Sequence, residues 1–212
     1  DSPVTTRQFA GLFLHGNPLR AIVSLLRYRF AITEPAAVSV ADGMGRTHSP
    51  LIEDELLESL NDPRFNVRFE TVLALARSHQ DRRTVEALGK VLQDNDPALA
   101  VLAAWALGRG GIPDGIPFLR QGLNAPYRSV QAYSARSLGM LKDTASTALL
   151  LQRLEAESDT GLQTAYASAL GYMGERQAVP RLLSLLEENQ DENQRSEIAL
   201  SLARIAGDEG GY

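Results

Sequence analysis

The chain has 212 residues, 44% of them hydrophobic and only 6% aromatic, with no cysteine and a formal net charge of −5. Its length and apolar share imply a substantial core, and the excess of Ala and Leu over aromatics favours close-packed helices over a β-sandwich or barrel. The lack of cysteine excludes disulfide staples, thiolate metal sites and a Cys nucleophile, and the acidic balance argues against a nucleic-acid binder, which needs a basic face. The longest apolar run, Pro97 to Gly108, is too short to cross a bilayer. No signal peptide is visible and the expected location is the cytoplasm, although a start at Asp1 rather than Met leaves room for an upstream leader or domain.

In chain order, residues 1–17 read as an N-terminal extension or cap, with Gln8-Phe9-Ala10-Gly11-Leu12-Phe13-Leu14 as a short apolar stretch. Pro18 to Phe30 reads as a first helix; its Leu26 lies 19 residues before Gly45, and a turn over Ala31 to Pro35 accounts for the extra length. From there the chain repeats itself. Ala74-Leu75-Ala76-Arg77, Ala106-Leu107-Gly108-Arg109, Ser137-Leu138-Gly139-Met140, Ala169-Leu170-Gly171-Tyr172 and Ser201-Leu202-Ala203-Arg204 have third residues spaced 32, 31, 32 and 32 apart. Gly43-Met44-Gly45-Arg46 extends the series backwards by 31. Leucine pairs keep step upstream: Leu56/Leu60, Leu88/Leu92, Leu119/Leu123, Leu150/Leu154 and Leu182/Leu186.

Each period accommodates two helices of about three to four turns and two tight turns. The leucine pairs mark a first helix, A, and the small-Leu-small signature closes a second, B. Asn61-Asp62-Pro63, Asn95-Asp96-Pro97 and Asn124-Ala125-Pro126 mark A-to-B turns, because Asp and Asn cap helices and Pro suits a first turn. Gly110-Gly111 and Lys142-Asp143 break the chain before the next A helix. Small residues such as Ala103-Ala104, Ser134-Ala135 and Ala167/Ala169 predict B-helix axes roughly 8–9 Å apart. One repeat cannot bury its apolar face alone. The expected architecture is therefore all-α: a right-handed α-α superhelix of about six two-helix repeats, one domain over residues 18–208, with a flexible tail at 209–212.

Asn66-Val67-Arg68 through Ala74-Leu75-Ala76, and Val130-Gln131 through Ser137-Leu138-Gly139, share a Val-Arg…Ala-Leu-Gly form. In this the chain resembles HEAT-like repeats, particularly the short kind of bilin-lyase-related proteins. The resemblance implies a non-catalytic scaffold that binds a protein partner in a concave groove lined by B helices. It also admits a bilin-lyase-like chaperone or lyase subunit. Residues 17–30 with Gly45-Arg46-Thr47-His48-Ser49-Pro50-Leu51 resemble the soluble C-terminal HEAT region of some bacterial major-facilitator transporters, which implies a cytosolic regulatory domain.

No catalytic constellation, phosphate loop or metal-spaced ligand set is present, and no cofactor is expected. His15, His48 and His79 are isolated near predicted turns, and Glu53, Asp54, Glu55 and Glu58 suit the macrodipole at an A-helix start. Glu187, Glu188, Asp191 and Glu192 flank the last turn. On the B helices, residues four apart form a stripe: Phe69/Leu73/Arg77, Val101/Trp105/Arg109, Ala132/Arg136/Met140, Thr164/Ser168/Tyr172 and Ser196/Leu200/Arg204. The predicted partner site is Phe69, Leu73, Val101 and Trp105, edged by Arg77, Arg109 and Arg136, with Tyr172 further along. Arg46, Arg77, Arg109 and Arg204 recur just after the small residue. They either satisfy B-helix C-terminal carbonyls or form a guanidinium ladder for an acidic partner segment, with Asp42, Glu70 and Glu197 interrupting it.

Overall fold

A computed structural model describes residues 33–46, 50–78 and 80–207, which fall into two compact units, one ending at Ala87 and one beginning at Leu88. All regular structure among these residues is helical. The first unit holds α1 (Glu34–Gly45), α2 (Pro50–Ser59) and α3 (Phe65–Arg77), and the division falls within α4 (Arg82–Val91). The second holds α5 (Pro97–Gly110), α6 (Ile116–Gly122), α7 (Arg128–Met140), α8 (Thr147–Ala156), α9 (Thr160–Met173), α10 (Val179–Glu188) and α11 (Glu192–Ala206). The B helices α1, α3, α5, α7, α9 and α11 begin at steps of 31 or 32 residues, as the small-Leu-small period requires. The predicted first A helix, Pro18–Phe30, the 1–17 extension, the 209–212 tail, residues 17–30 of the transporter likeness and all three histidines lie outside the described residues. Pro35, read as part of a turn, instead occupies the first turn of α1, where its missing N–H costs nothing.

In the first unit α1 packs on α3 and α2 lies across α3. In the second, α5, α7, α9 and α11 pack each on the next, with α6 against α7, α8 against α9 and α10 against α11. The leucine ladder is the core of this arrangement. Every member is buried except Leu186, which is half-buried.

The small residues act at the B–B contacts, where the third residue of one signature meets the first of the next. A Cβ placed on Gly139 would lie 2.5 Å from Ala169 Cα; one on Gly171 would lie 2.8 Å from Ser201 Cα; and one on Gly108 would lie 2.9 Å from Ser137 Cα. Gly45 meets Ala74 in the same way in the first unit, at 2.6 Å. These are backbone contacts that no rotamer change relieves. Ser137 adds a tie between repeats, its Oγ donating to the Ala104 carbonyl at 2.8 Å.

Left-handed residues stop successive B helices at matching points: Gly111 (φ 69°), Lys142 (φ 51°), Gly174 (φ 70°) and Gly207 (φ 78°). Lys142 is the one non-glycine among them, and it bears the steric cost of that conformation. A second recurring device pins the A-to-B turns. Arg68, Gln131 and Gln163 each reach back six residues, to the carbonyls of Asp62, Ala125 and Glu157 at 2.9, 2.6 and 2.7 Å.

The Pro-containing turns form where predicted, but only one has the expected cap. Asp96 accepts from the Ala98 amide and Pro97 opens α5. At the other two, Arg64 and Tyr127 are the cap residues and the prolines stand one position earlier. Asp62 spends its carboxylate on the Arg64 amide and guanidinium instead. The caps of α9 and α11 come from Asp159 and Asp191, which have no proline to announce them. Among the described residues no helix is long and apolar enough to cross a membrane, and no group of three His, Asp or Glu could hold a metal ion.

Candidate partner-binding face

On the first unit, Phe69 and Leu73 are half-buried and Arg77 is exposed. Phe69 borders a cleft of about 350 Å³ whose other walls are Pro35 and Val38 of α1 with Glu34, Asn66 and Glu70. The Phe65 ring lies 5.8 Å from that of Phe69, extending the aromatic surface. Asn66 Nδ2 donates to Glu34 Oε1 at 2.9 Å, tying α3 to the start of α1. Arg77 pairs with Asp42 at 2.8 Å and lies 3.4 Å from Glu70, while Arg46 grips both oxygens of Asp42. The hydrogen bond and charge of Arg46, ahead of those of Arg77, hold the Asp42 carboxyl below the usual carboxylate value. Burial pushes the Glu70 carboxyl up, against the pull of Arg77.

On the second unit, Val101 and Trp105 are half-buried on α5, and the exposed Arg109 lies over the Trp105 ring at 5.6 Å. Tyr172 of α9 is half-buried beneath Arg204 of α11, whose guanidinium is 4.0 Å from the ring centroid and donates to the Tyr172 hydroxyl at 3.2 Å. Tyr133, Met140 and Leu200 add exposed apolar surface. Arg136 of α7 reaches Glu197 of α11 at 2.5 Å and passes 6.0 Å from the Tyr133 ring. Helix α9 lies between those two helices, and its residues Leu162 to Gly171 are all buried.

Two expectations are therefore corrected. The recurring arginines neither cap B-helix carbonyls nor stand as a uniform guanidinium ladder. Arg46 and Arg77 are held by carboxylates and Arg109 and Arg204 by aromatic rings, presented one helical turn away or on the adjacent B helix. The stripe is also interrupted, since Thr164 and Ser168 are buried rather than open.

The Glu53–Glu58 group is more than a solvated helix start. Asp54 pairs with Arg83 at 2.5 Å and Glu53 accepts from Thr84 Oγ1 at 2.6 Å, linking α2 to α4 within the first unit. Sequence reasoning missed Tyr133, which stands i to i+3 from Arg136, and Glu34, whose relevance depends on α1 lying beside α3. It also missed the pair made by Arg120 and the buried Asp143 at 2.5 Å.

The architecture is that of an all-α, armadillo-type repeat protein built from α-α pairs. The HEAT repeats family matches at residues 53–139, 85–169 and 147–210, and the chain belongs to that family. Two curated relatives are bilin biosynthesis proteins PecE. The one from Mastigocladus laminosus is 33% identical over 112 residues, covering 50% of this chain and 42% of the relative. The one from Nostoc sp. strain PCC 7120 is 31% identical over 106 residues, covering 47% and 42%. The chain thus spans less than half the length of these relatives. Among solved structures, a designed armadillo repeat protein in complex with the peptide (KR)4 aligns at TM-score 0.58 and 14% identity, covering 89% of this chain and all of that one. An engineered protein aligns at TM-score 0.58 and 20% identity, covering 90% and 99%. These two likenesses show the fold.

Proposed function

We propose that this chain is a non-catalytic interaction module that holds a protein partner on the B-helix face, with Trp105, Arg109, Tyr172 and Arg204 as the main contacts of the second unit. The observation that carries this reading is the way two arginines are held. Arg109 and Arg204 rest on aromatic rings and, among the described residues, form no ion pair, so their charge is not cancelled locally. A guanidinium on a ring presents both a flat apolar surface and free N–H donors, a combination common at interface hot spots. The fitting partner is a segment with acidic side chains flanking an apolar one. Arg136 is a weaker contact than the sequence implied, because Glu197 must release it first.

Trp105 is the only tryptophan and reports directly. Titration with an acidic, a basic and a neutral octapeptide, each carrying a central leucine, should change its fluorescence with the acidic peptide. The change should weaken with salt and vanish in the Arg109→Ala/Arg204→Ala variant. An unchanged spectrum with all three peptides would remove the basis for the proposal.

A second reading rests on the relatives, which are bilin biosynthesis proteins. It makes the chain a bilin-lyase-like chaperone or lyase subunit. Incubation with a free bilin, followed by visible absorbance, tests it: a shifted, intensified band supports the reading and an unaltered spectrum rejects it.

A further inference from the structure

We propose that the cleft between α1 and α3 is a receptor for a basic side chain, arginine or lysine, of a peptide partner. This deepens the interaction-module reading and rests on it, but concerns a different surface of opposite charge preference. The cleft of about 350 Å³ has an apolar lining of Pro35, Val38 and Phe69 and carries two carboxylates, Glu34 and Glu70. An aliphatic stem can lie on Val38 and Phe69 while its cationic head meets the carboxylates, as long basic side chains do at amphipathic surfaces. The Phe69 ring adds the attraction of a π face for a cation.

The two carboxylates favour that occupant over an acidic one. Two nearby arginines have their main partner in Asp42, which is not one of the cleft's walls. Arg46 and Arg77 both bond Asp42 at 2.9 and 2.8 Å, and Arg77 makes a longer second pair with Glu70 at 3.4 Å. A third, Arg64, bonds Asp62 at 2.7 Å, and its charge is also felt by Glu34. Glu34 receives one amide hydrogen from Asn66, which leaves acceptor capacity on the carboxylate. An acidic side chain entering here would meet two like charges.

The test uses the full chain and N-acetyl-tetraarginine amide, with the tetralysine and tetraglutamate peptides for comparison. The Phe69 ring and Asn66 side-chain amide resonances should shift and saturate with either basic peptide. Binding should fall roughly tenfold or more in the Glu34→Gln/Glu70→Gln variant, two exposed-to-half-buried charge contacts being lost. A control pair, Glu187→Gln/Glu188→Gln, should bind as wild type does. Tetraglutamate shifting the same resonances equally, basic peptides perturbing only sites away from Phe69, or undiminished binding by the Glu34→Gln/Glu70→Gln variant would each overturn the proposal. Because Trp105 fluorescence reports the second unit, a failure here is distinguishable from a failure of the acidic-segment reading.

Discussion

Gly43 and Gly45 stand two residues apart in α1, and replacing each by alanine should move stability in opposite directions. A Cβ on Gly45 would come within 2.6 Å of Ala74 Cα and 2.7 Å of Ala74 Cβ. Ordinary carbon–carbon contact needs about 3.5 Å, so α1 and α3 must separate by roughly 1 Å. Over-packing of this sort costs about 1–3 kcal/mol, and removing a helical glycine returns at most about 1 kcal/mol. Gly45→Ala should therefore lose about 1–2 kcal/mol net. A Cβ on Gly43 meets nothing within 4 Å, so Gly43→Ala should gain about 0.5–1 kcal/mol from the unfolded chain's lost freedom. In thermal melts followed by far-UV circular dichroism, that is a fall of several degrees for the first variant and a rise of a few for the second. If Gly45→Ala melts at or above wild type, close backbone approach is not what the small residue is for.

The same logic applied to a larger side chain predicts that Gly139→Leu and Gly171→Leu each lose several kcal/mol, about 3–5, measurable by urea denaturation. Lys142→Gly should raise the melting temperature, by about 1 kcal/mol of stability, because the φ of 51° is strained for lysine and natural for glycine. Asp143→Asn should cost about 1–3 kcal/mol at neutral pH, since it breaks the buried bonds to Arg120 and Ser146. Burial alone would push the Asp143 carboxyl up, but those hydrogen bonds and the Arg120 charge outweigh it and hold the group below the usual carboxylate value. A carboxyl depressed by folding binds fewer protons in the native state. Its contribution is full above the unfolded value of about 3.9 and is lost as pH falls through the folded value. The gap between wild type and Asp143→Asn should accordingly narrow in denaturation curves taken below about pH 4.

Most of the fold was legible because it is said repeatedly. A period carried by Leu75, Leu107, Leu138 and Leu170, with paired leucines in step, leaves little freedom in assigning helices, and each of these residues is buried. The breaks at Gly111 and Lys142 were legible for the same reason. What the sequence did not disclose are contacts set by the angle and spacing between helices. Arg136 and Glu197 are 61 residues apart and belong to repeats that are not adjacent, so no local rule pairs them. Arg77 finds Asp42 across 35 residues, and Arg204 finds Tyr172 across 32. One-letter recurrence made the arginines after the small residue look equivalent, whereas the partner each one finds differs: a carboxylate for Arg46 and Arg77, an aromatic ring for Arg109 and Arg204.

The bond between Arg136 and Glu197 also changes how the second unit can come apart. In an array whose members touch only their neighbours, the terminal member frays alone and each inner one waits its turn. Here the last B helix is tied to the one two places earlier, over the top of α9. Loosening α11 therefore also releases Arg136 on α7. A pair this exposed couples the two helices by at most about 1 kcal/mol, so Glu197→Gln should raise hydrogen exchange slightly at the exposed ends of both α7 and α11.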